Sequence, residues 1–306
     1  MKTRLLVEQH IHGAFGIDFN KASVEDMLYV SKELLNCGIG GYFPTLVTDS
    51  VENITRQIKI IKEAANRIGN DCADILGIHL EGIFINSEKK GIHNPKHFLP
   101  LTVDSFKTIE DDFIKIVTLA PELDEGLIEY LQTKNIKIQA GHCVGGDLNS
   151  CSGATHLFNA MKGISHREKS TALSALIDDG IYTEVIADGV HLSDDILRLI
   201  FKTKPFNRIV LISDALPITY SSLKSTVFAD ERIFYDGVKA TSATGTIAGS
   251  TTLLDKIVKI LGQKDLFTVQ LINNVYDYLD LEIDGELEWD DEFNIIHIRK
   301  GNYYAK

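Results

Sequence analysis

Disulfide chemistry, membrane-spanning segments and flexible linkers are all missing from this sequence. Its 306 residues include only four cysteines, Cys37, Cys72, Cys143 and Cys151, with no C-x-x-C pair. That excludes a disulfide framework and a cysteine-built metal site, and it leads us to expect free thiols in a reducing compartment. No stretch approaches the ~18 uncharged apolar residues of a transmembrane helix. The opening Met1-Lys2-Thr3-Arg4-Leu5-Leu6-Val7-Glu8 meets a glutamate too early for a secretory signal. A cytoplasmic location is expected. Basic residues are scarce: 31 Lys and Arg stand against 43 Asp and Glu, a net charge of −12. An acidic surface argues against nucleic-acid and anionic-membrane partners, while a few local cations still suffice for a small anionic substrate. No Pro-, Gly- or Ser-rich linker and no internal repeat divides the chain.

What is present is an ordinary globular balance, 44% apolar and 24% charged. Eight short apolar runs, at 5–12, 41–48, 74–81, 114–121, 136–142, 154–159, 182–188 and 208–214, mostly end in a polar or ionisable residue. Near-continuous apolar character marks strands buried on both faces of a parallel sheet. Amphipathic stretches of helical period lie between most of them, at 24–35, 51–68, 123–134, 169–179, 193–202 and 251–261. This alternation predicts an α/β fold, a (β/α)8 TIM-type barrel, over residues 1–282. Only 143–153 separates the fifth and sixth strands, and Gly145, Gly146 and Asn149 predict a loop there in place of a helix. Residues 227–239 read as a hairpin around Tyr235-Asp236-Gly237. Residues 283–306 read as a short C-terminal β remnant.

Active sites of such barrels lie at the C-terminal ends of the strands. His10, His12, Glu81, His142, His156, Asp188 and Asp214 all fall at or near such ends. His10 and His12 are two apart on one strand, so their imidazoles point to the same side. Any one of these residues alone reads as a hydrogen-bonded core group. Together, a carboxylate and several histidines suit Zn or another borderline divalent ion. Asp214 closes the nearly all-apolar run Ile209-Val210-Leu211-Ile212-Ser213. A carboxylate there is costly unless paired or near a metal, and it suits a general acid/base.

These residues sit in a recognisable set of motifs. They include His10-Ile11-His12-Gly13, Gly41-Tyr42-Phe43-Pro44-Thr45-Leu46, His79-Leu80-Glu81-Gly82 and Lys89-Lys90-Gly91-Ile92-His93-Asn94-Pro95. Further along come Thr155-His156-Leu157-Phe158-Asn159-Ala160-Met161, Ile186-Ala187-Asp188-Gly189-Val190-His191 and Gly245-Thr246-Ile247-Ala248-Gly249-Ser250. In them the chain resembles the N-acetylglucosamine-6-phosphate deacetylase family of the amidohydrolase superfamily. The resemblance implies metal ligands Glu81, His142 and His156, Asp214 as catalytic acid/base, and His93 polarising the acetamide carbonyl. It implies that Asn159, Ala160, Arg167 and His191 hold the sugar phosphate, together with backbone at Ile92, Ile247, Ala248 and Gly249. One Zn-type ion per site is expected, with room for a second through His10, His12 and Asp214. A homodimer is expected, Arg167 reaching across its interface.

Departures from the family pattern are equally specific. Members usually begin with a further segment of a small β-sandwich, whereas this chain starts almost at the first barrel strand. Ile83 and Cys143 stand for a usual Pro and Ser, and Lys169-Ser170 for Pro-Gly. Leu216-Pro217-Ile218-Thr219 replaces a small Gly-containing loop. Two alternatives therefore stand beside deacetylation of N-acetylglucosamine 6-phosphate. One is an amidohydrolase for another N-acylated sugar phosphate, the other a catalytically silent sugar-phosphate-binding homologue.

Overall fold

The computed structural model describes residues 1–305. Eight strands run parallel in sequence order: β1 (Leu6–Ile11), β2 (Ile39–Leu46), β3 (Ile78–Glu81), β4 (Ile114–Leu119), β5 (Lys137–Ala140), β6 (Gly153–Ala154), β7 (Tyr182–Val185) and β8 (Ile209–Leu211). The ladder is drawn shut between its first and last members. Asp214 N–H donates to the His10 carbonyl at 3.0 Å, and His12 N–H to the Ala215 carbonyl at 2.9 Å. This is the (β/α)8 barrel that the alternation predicts.

The helices are α1 (Val24–Asn36), α2 (Val51–Ala65), α3 (Val103–Lys107), α4 (Leu127–Thr133), α5 (Thr171–Ile177), α6 (Asp194–Thr203), α7 (Leu254–Gln263) and α8 (Gln270–Leu279). Ser23 starts α1 with a reciprocal capping box to Asp26, and the helix buries Met27, Val30, Leu34 and Leu35. Ser50, Ser170 and Ser193 cap α2, α5 and α6 in the same way from one side. No helix follows β5, as the glycines there predict.

Two elements differ from the sequence reading. The sixth strand is only Gly153–Ala154, because His156, Phe158 and Ala160 all take positive φ and break the ladder. Helix α8 is unanticipated, since Asn273 and Asn274 interrupt its apolar pattern. Asn274 donates to the carbonyls of Phe206 and Ile209, and Tyr276 to that of Leu5. The helix thereby covers the N-terminal mouth of the barrel, where Val275, Tyr276 and Tyr278 pack with Val7, Phe43, Ile116 and Val210.

The predicted hairpin is part of a four-stranded antiparallel sheet, β9 (Ser225–Phe228), β10 (Glu231–Tyr235), β11 (Ala240–Ser242) and β12 (Ile247–Gly249). The tail forms β13 (Gly285–Trp289), β14 (Ile295–Lys300) and β15 (Tyr303–Ala305). Its first strand pairs with Lys2–Thr3, and its buried Leu287, Trp289 and Ile298 join the main apolar core.

Candidate metal centre and substrate cavity

Each strand end delivers its ionisable side chain through a bend in the chain. His142, His156 and Asp214 have φ of 48°, 30° and 56°. Left-handed backbone at residues with a Cβ costs on the order of 1–3 kcal/mol each and persists where surrounding structure over-determines it. Here it follows β5, β6 and β8 and turns all three side chains inward. Glu81 ends β3, and His10 and His12 leave β1 on one side, as the spacing predicts.

The result is a buried knot of acceptors. Glu81 Oε1 lies 2.9 Å from His156 Nε2 and 3.2 Å from His142 Nε2. Glu81 Oε2 lies 3.0 Å from His12 Nε2 and 3.4 Å from His10 Nε2. Asp214 Oδ1 stands 3.1 Å from His12 Nε2 and 3.5 Å from His10 Nε2. Three of the other ring nitrogens are already spoken for. Nδ1 of His10 donates to Glu184 at 2.9 Å, that of His12 to the Thr45 carbonyl at 3.2 Å, and that of His142 to the Lys89 carbonyl at 2.8 Å. In neutral rings those three Nε2 atoms are therefore bare lone pairs aimed at carboxylate oxygens and at one another.

Such an arrangement is repulsive unless protons or a cation lie at its centre. Burial pulls His12 down, but hydrogen bonds to Asp214 and Glu81 outweigh it and lift the imidazole to about 9. Burial likewise opposes the Glu81 charge, and the surrounding imidazoles, His10 foremost, hold the carboxyl well below its usual range. The donor set fits a divalent ion. Glu81, His142 and His156 bring their ligand atoms within 2.9–3.2 Å of one another, His93 joins Glu81 and His142 within metal-sharing distance, and His10, His12 and Asp214 form a further such group, with Glu81 presenting one oxygen to each side. His156 Nδ1 is buried without a partner among the described residues, so contacts on its Nε2 side orient the ring.

Above the knot opens a cavity of about 290 Å3. Ile92, His93, Asn159, Ala160, His191, Ile247, Ala248 and Gly249 line it together with His12, Glu81, His142, His156 and Asp214. No Lys or Arg does so among the described residues. Arg167 is exposed and does not line the cavity; its neighbour Glu168 pairs with Lys162. Asp188, grouped with the other strand-end residues, stands apart from the ligand cluster. It does not join the metal ligands, because its carboxylate is consumed by His191 Nδ1 at 2.8 Å, Ser250 Oγ at 2.9 Å and the N–H groups of Val190 and His191. The segment after Asp214 is buried behind the cavity wall, Leu216 and Ile218 packing with Val47 and Phe228.

Sequence reasoning passed over three buried groups. Glu184 holds His10 Nδ1 and also accepts from the His156 N–H at 3.2 Å and Gln9 Nε2 at 2.6 Å. Glu8 accepts from Ser213 N–H at 3.0 Å and His10 N–H at 3.2 Å, and burial pushes it up to about 8. Thr48 contacts His93. Glu184 and Thr48 sit within apolar runs, where nothing in the sequence distinguishes an inward polar residue from an outward one, whereas Glu8 stands two residues before His10 and shares its strand face.

No protein-family model matches the chain. N-acetylglucosamine-6-phosphate deacetylase of Bacillus subtilis (strain 168) is 33% identical over 264 residues, 80% of this chain and 65% of that protein. Its counterpart from Bos taurus is 32% identical over 278 residues, 83% of this chain and 67% of that protein. The chain belongs to the N-acetylglucosamine-6-phosphate deacetylase family. It spans about two thirds of the length of these curated relatives. The crystal structure of the Thermotoga maritima N-acetylglucosamine-6-phosphate deacetylase superposes with a TM-score of 0.90 at 25% identity, covering 99% of this chain and 88% of that one. No helix among the described residues is long and apolar enough to cross a membrane.

Proposed function

We propose that this member of the family hydrolyses the acetamide of N-acetylglucosamine 6-phosphate to glucosamine 6-phosphate and acetate. The observation that carries the reading is the convergence of Glu81, His142, His156, His12 and Asp214 on one cavity, with His93 also lining it and His10 buried beside His12. Glu81, His142 and His156 would hold one divalent ion, and Zn is the best match to a nitrogen-rich set with one carboxylate. His10, His12 and Asp214 offer room for a second. When bound, such an ion supplies Lewis acidity and lets water act as a nucleophile at neutral pH.

The chain's own residues do the rest. Asp214 takes the proton of the attacking water as the new C–O bond forms, then delivers it to the nitrogen as the C–N bond breaks. His93 donates a hydrogen bond to the acetamide oxygen as negative charge gathers there. Asn159, Ala160, His191, Ile92 and the Ile247, Ala248 and Gly249 wall hold the sugar. Because no Lys or Arg lines the cavity among the described residues, Arg167 of a second copy in a homodimer is assigned to the phosphate. None of the four cysteines is joined in a disulfide, which supports a cytoplasmic protein. Residues 1–282 form the catalytic unit on this reading and the tail from 283 a β remnant, whose last residue, Lys306, lies outside the described residues, supported by a cavity whose lining contains no described tail residue.

The test pairs metal analysis of the purified protein with acetate release from N-acetylglucosamine 6-phosphate. Metal together with turnover supports the reading. Metal without turnover favours another N-acylated sugar phosphate, the galactosamine isomer being the first to try. Neither metal nor turnover favours a silent binding homologue.

A further inference from the structure

His93 is held from behind by a single threonine. Thr48 follows β2, and both residues are buried. The Thr48 backbone N–H points at His93 Nδ1 at 3.4 Å, and Thr48 Oγ1 lies 2.8 Å from the same nitrogen. The hydroxyl also accepts from the Ile83 N–H at 2.8 Å. A threonine hydroxyl has one proton. With Ile83 occupying a lone pair, that proton is directed to Nδ1. A backbone N–H cannot turn away as a hydroxyl can, so two donors meet at Nδ1 and this nitrogen must be the acceptor. A neutral ring that accepts at Nδ1 carries its one proton on Nε2. Nε2 is the nitrogen nearer the metal ligands, 3.8 Å from Glu81 Oε2.

We propose that Thr48 is a positioning residue that fixes His93 as the Nε2–H tautomer, so that the ring enters the reaction already aimed as a hydrogen-bond donor to the substrate carbonyl oxygen. The proposal rests on the assignment of His93 as the carbonyl-polarising group. The close packing of the pair supports it independently. Gly82 lies beside both residues at φ 108°, and a Cβ there would come within 2.2 Å of Thr48 Oγ1 and 2.7 Å of His93 Nδ1. The chain has kept this corner free of any side chain, leaving the two in direct contact. Without the hydroxyl, Nδ1 loses its nearer donor and the opposite tautomer, which presents a lone pair to the substrate oxygen, becomes accessible.

Long-range 1H–15N spectra of the full-length protein loaded with Zn2+ report which imidazole nitrogen is protonated. Wild type and Thr48→Ser should show His93 with Nδ1 bare and Nε2 protonated. Thr48→Val should add the Nδ1–H form and lower kcat for acetate release by about 10–100-fold, the usual scale for losing a group that orients an active-site ligand, while KM stays near its wild-type value. Thr48→Ser should recover most of that loss. A wild-type ring protonated at Nδ1 overturns the proposal, and that spectrum decides the matter even where Thr48→Val fails to fold. So does a Thr48→Val protein with an unchanged tautomer, or with unchanged kcat despite a changed one. A wild-type protein with the expected tautomer and no acetate release refutes the deacetylase reading, a result the spectrum keeps separate.

Discussion

His142 and His156 meet nitrogen to nitrogen, Nε2 to Nε2, at 3.2 Å. With His142 Nδ1 engaged by the Lys89 carbonyl, nothing but a proton or a cation relieves that contact. His142→Ala and His156→Ala should each lose the tightly held ion under mild dialysis, read by elemental analysis. Retention of full metal content in both variants would sink the ligand assignment.

Asp214→Asn keeps the shape of the side chain but cannot carry a proton at neutral pH. We expect the ion at Glu81, His142 and His156 to stay in place and kcat to fall by at least ~10²-fold. Turnover within a few-fold of wild type would make Asp214 a structural residue and send the search for the proton carrier elsewhere.

The exposed position of Arg167, away from the lining of the cavity in its own chain, makes its test an oligomeric one. Arg suits phosphate because its planar guanidinium donates two parallel hydrogen bonds. Arg167→Ala should raise KM for the phosphorylated sugar by ~10-fold or more, the loss of one charge-assisted contact of ~1.5–3 kcal/mol. Activity on the unphosphorylated sugar should hardly change. A strictly monomeric, fully active protein in light scattering would rule out donation across an interface.

Asp188 gives the cavity a pH dependence. Burial pulls His191 down, but its hydrogen bond to Asp188 outweighs this and raises the imidazole above its usual value. The protonated ring is therefore present at low pH and persists to higher pH than an ordinary histidine would allow. KM should be lowest below that raised value and increase as pH climbs through it. Asp188→Asn removes the neighbouring charge, so the increase should begin at lower pH. Superimposable KM profiles of variant and wild type would show that His191 does not meet substrate as a cation.

Much of this site was legible because its residues end apolar runs. A barrel turns strand ends toward one face, so Glu81 after Ile78-His79-Leu80 and Asp214 after Ile209-Val210-Leu211 could be gathered before any coordinates. Asp188 obeyed the same rule, but a strand end says which face a side chain reaches and not what claims it there, which for Asp188 is His191 and Ser250. Glu184 was invisible for a related reason. It lies inside the run 182–188, which reads as a strand buried on both faces, so the pattern does not say that it is turned toward His10. Helix α8 escaped because the polar side of Asn274 is spent on the frayed carbonyls of Phe206 and Ile209, a partnership separated by more than sixty positions in sequence. The left-handed φ values at His142 and His156 follow no composition rule for histidine and emerge only from the turn that the ligand geometry demands.

The pairing of Lys2–Thr3 with β13 laces the two ends of the chain together. The amino group of Met1 donates to the Trp289 carbonyl at 2.8 Å, and the Trp289 indole to Thr3 Oγ1 at 2.9 Å. Strand β1, which carries His10, begins at Leu6, only three residues past that seam. Tail and ligand strand are thus mechanically in series. Trimming residues 283–305 would unfasten the rope that moors β1 from below, loosening the histidine pair although no tail residue approaches it. A tag fused ahead of Met1 pulls on the same rope, whereas one placed after Tyr304 hangs from the far edge of the sheet and leaves the mooring alone.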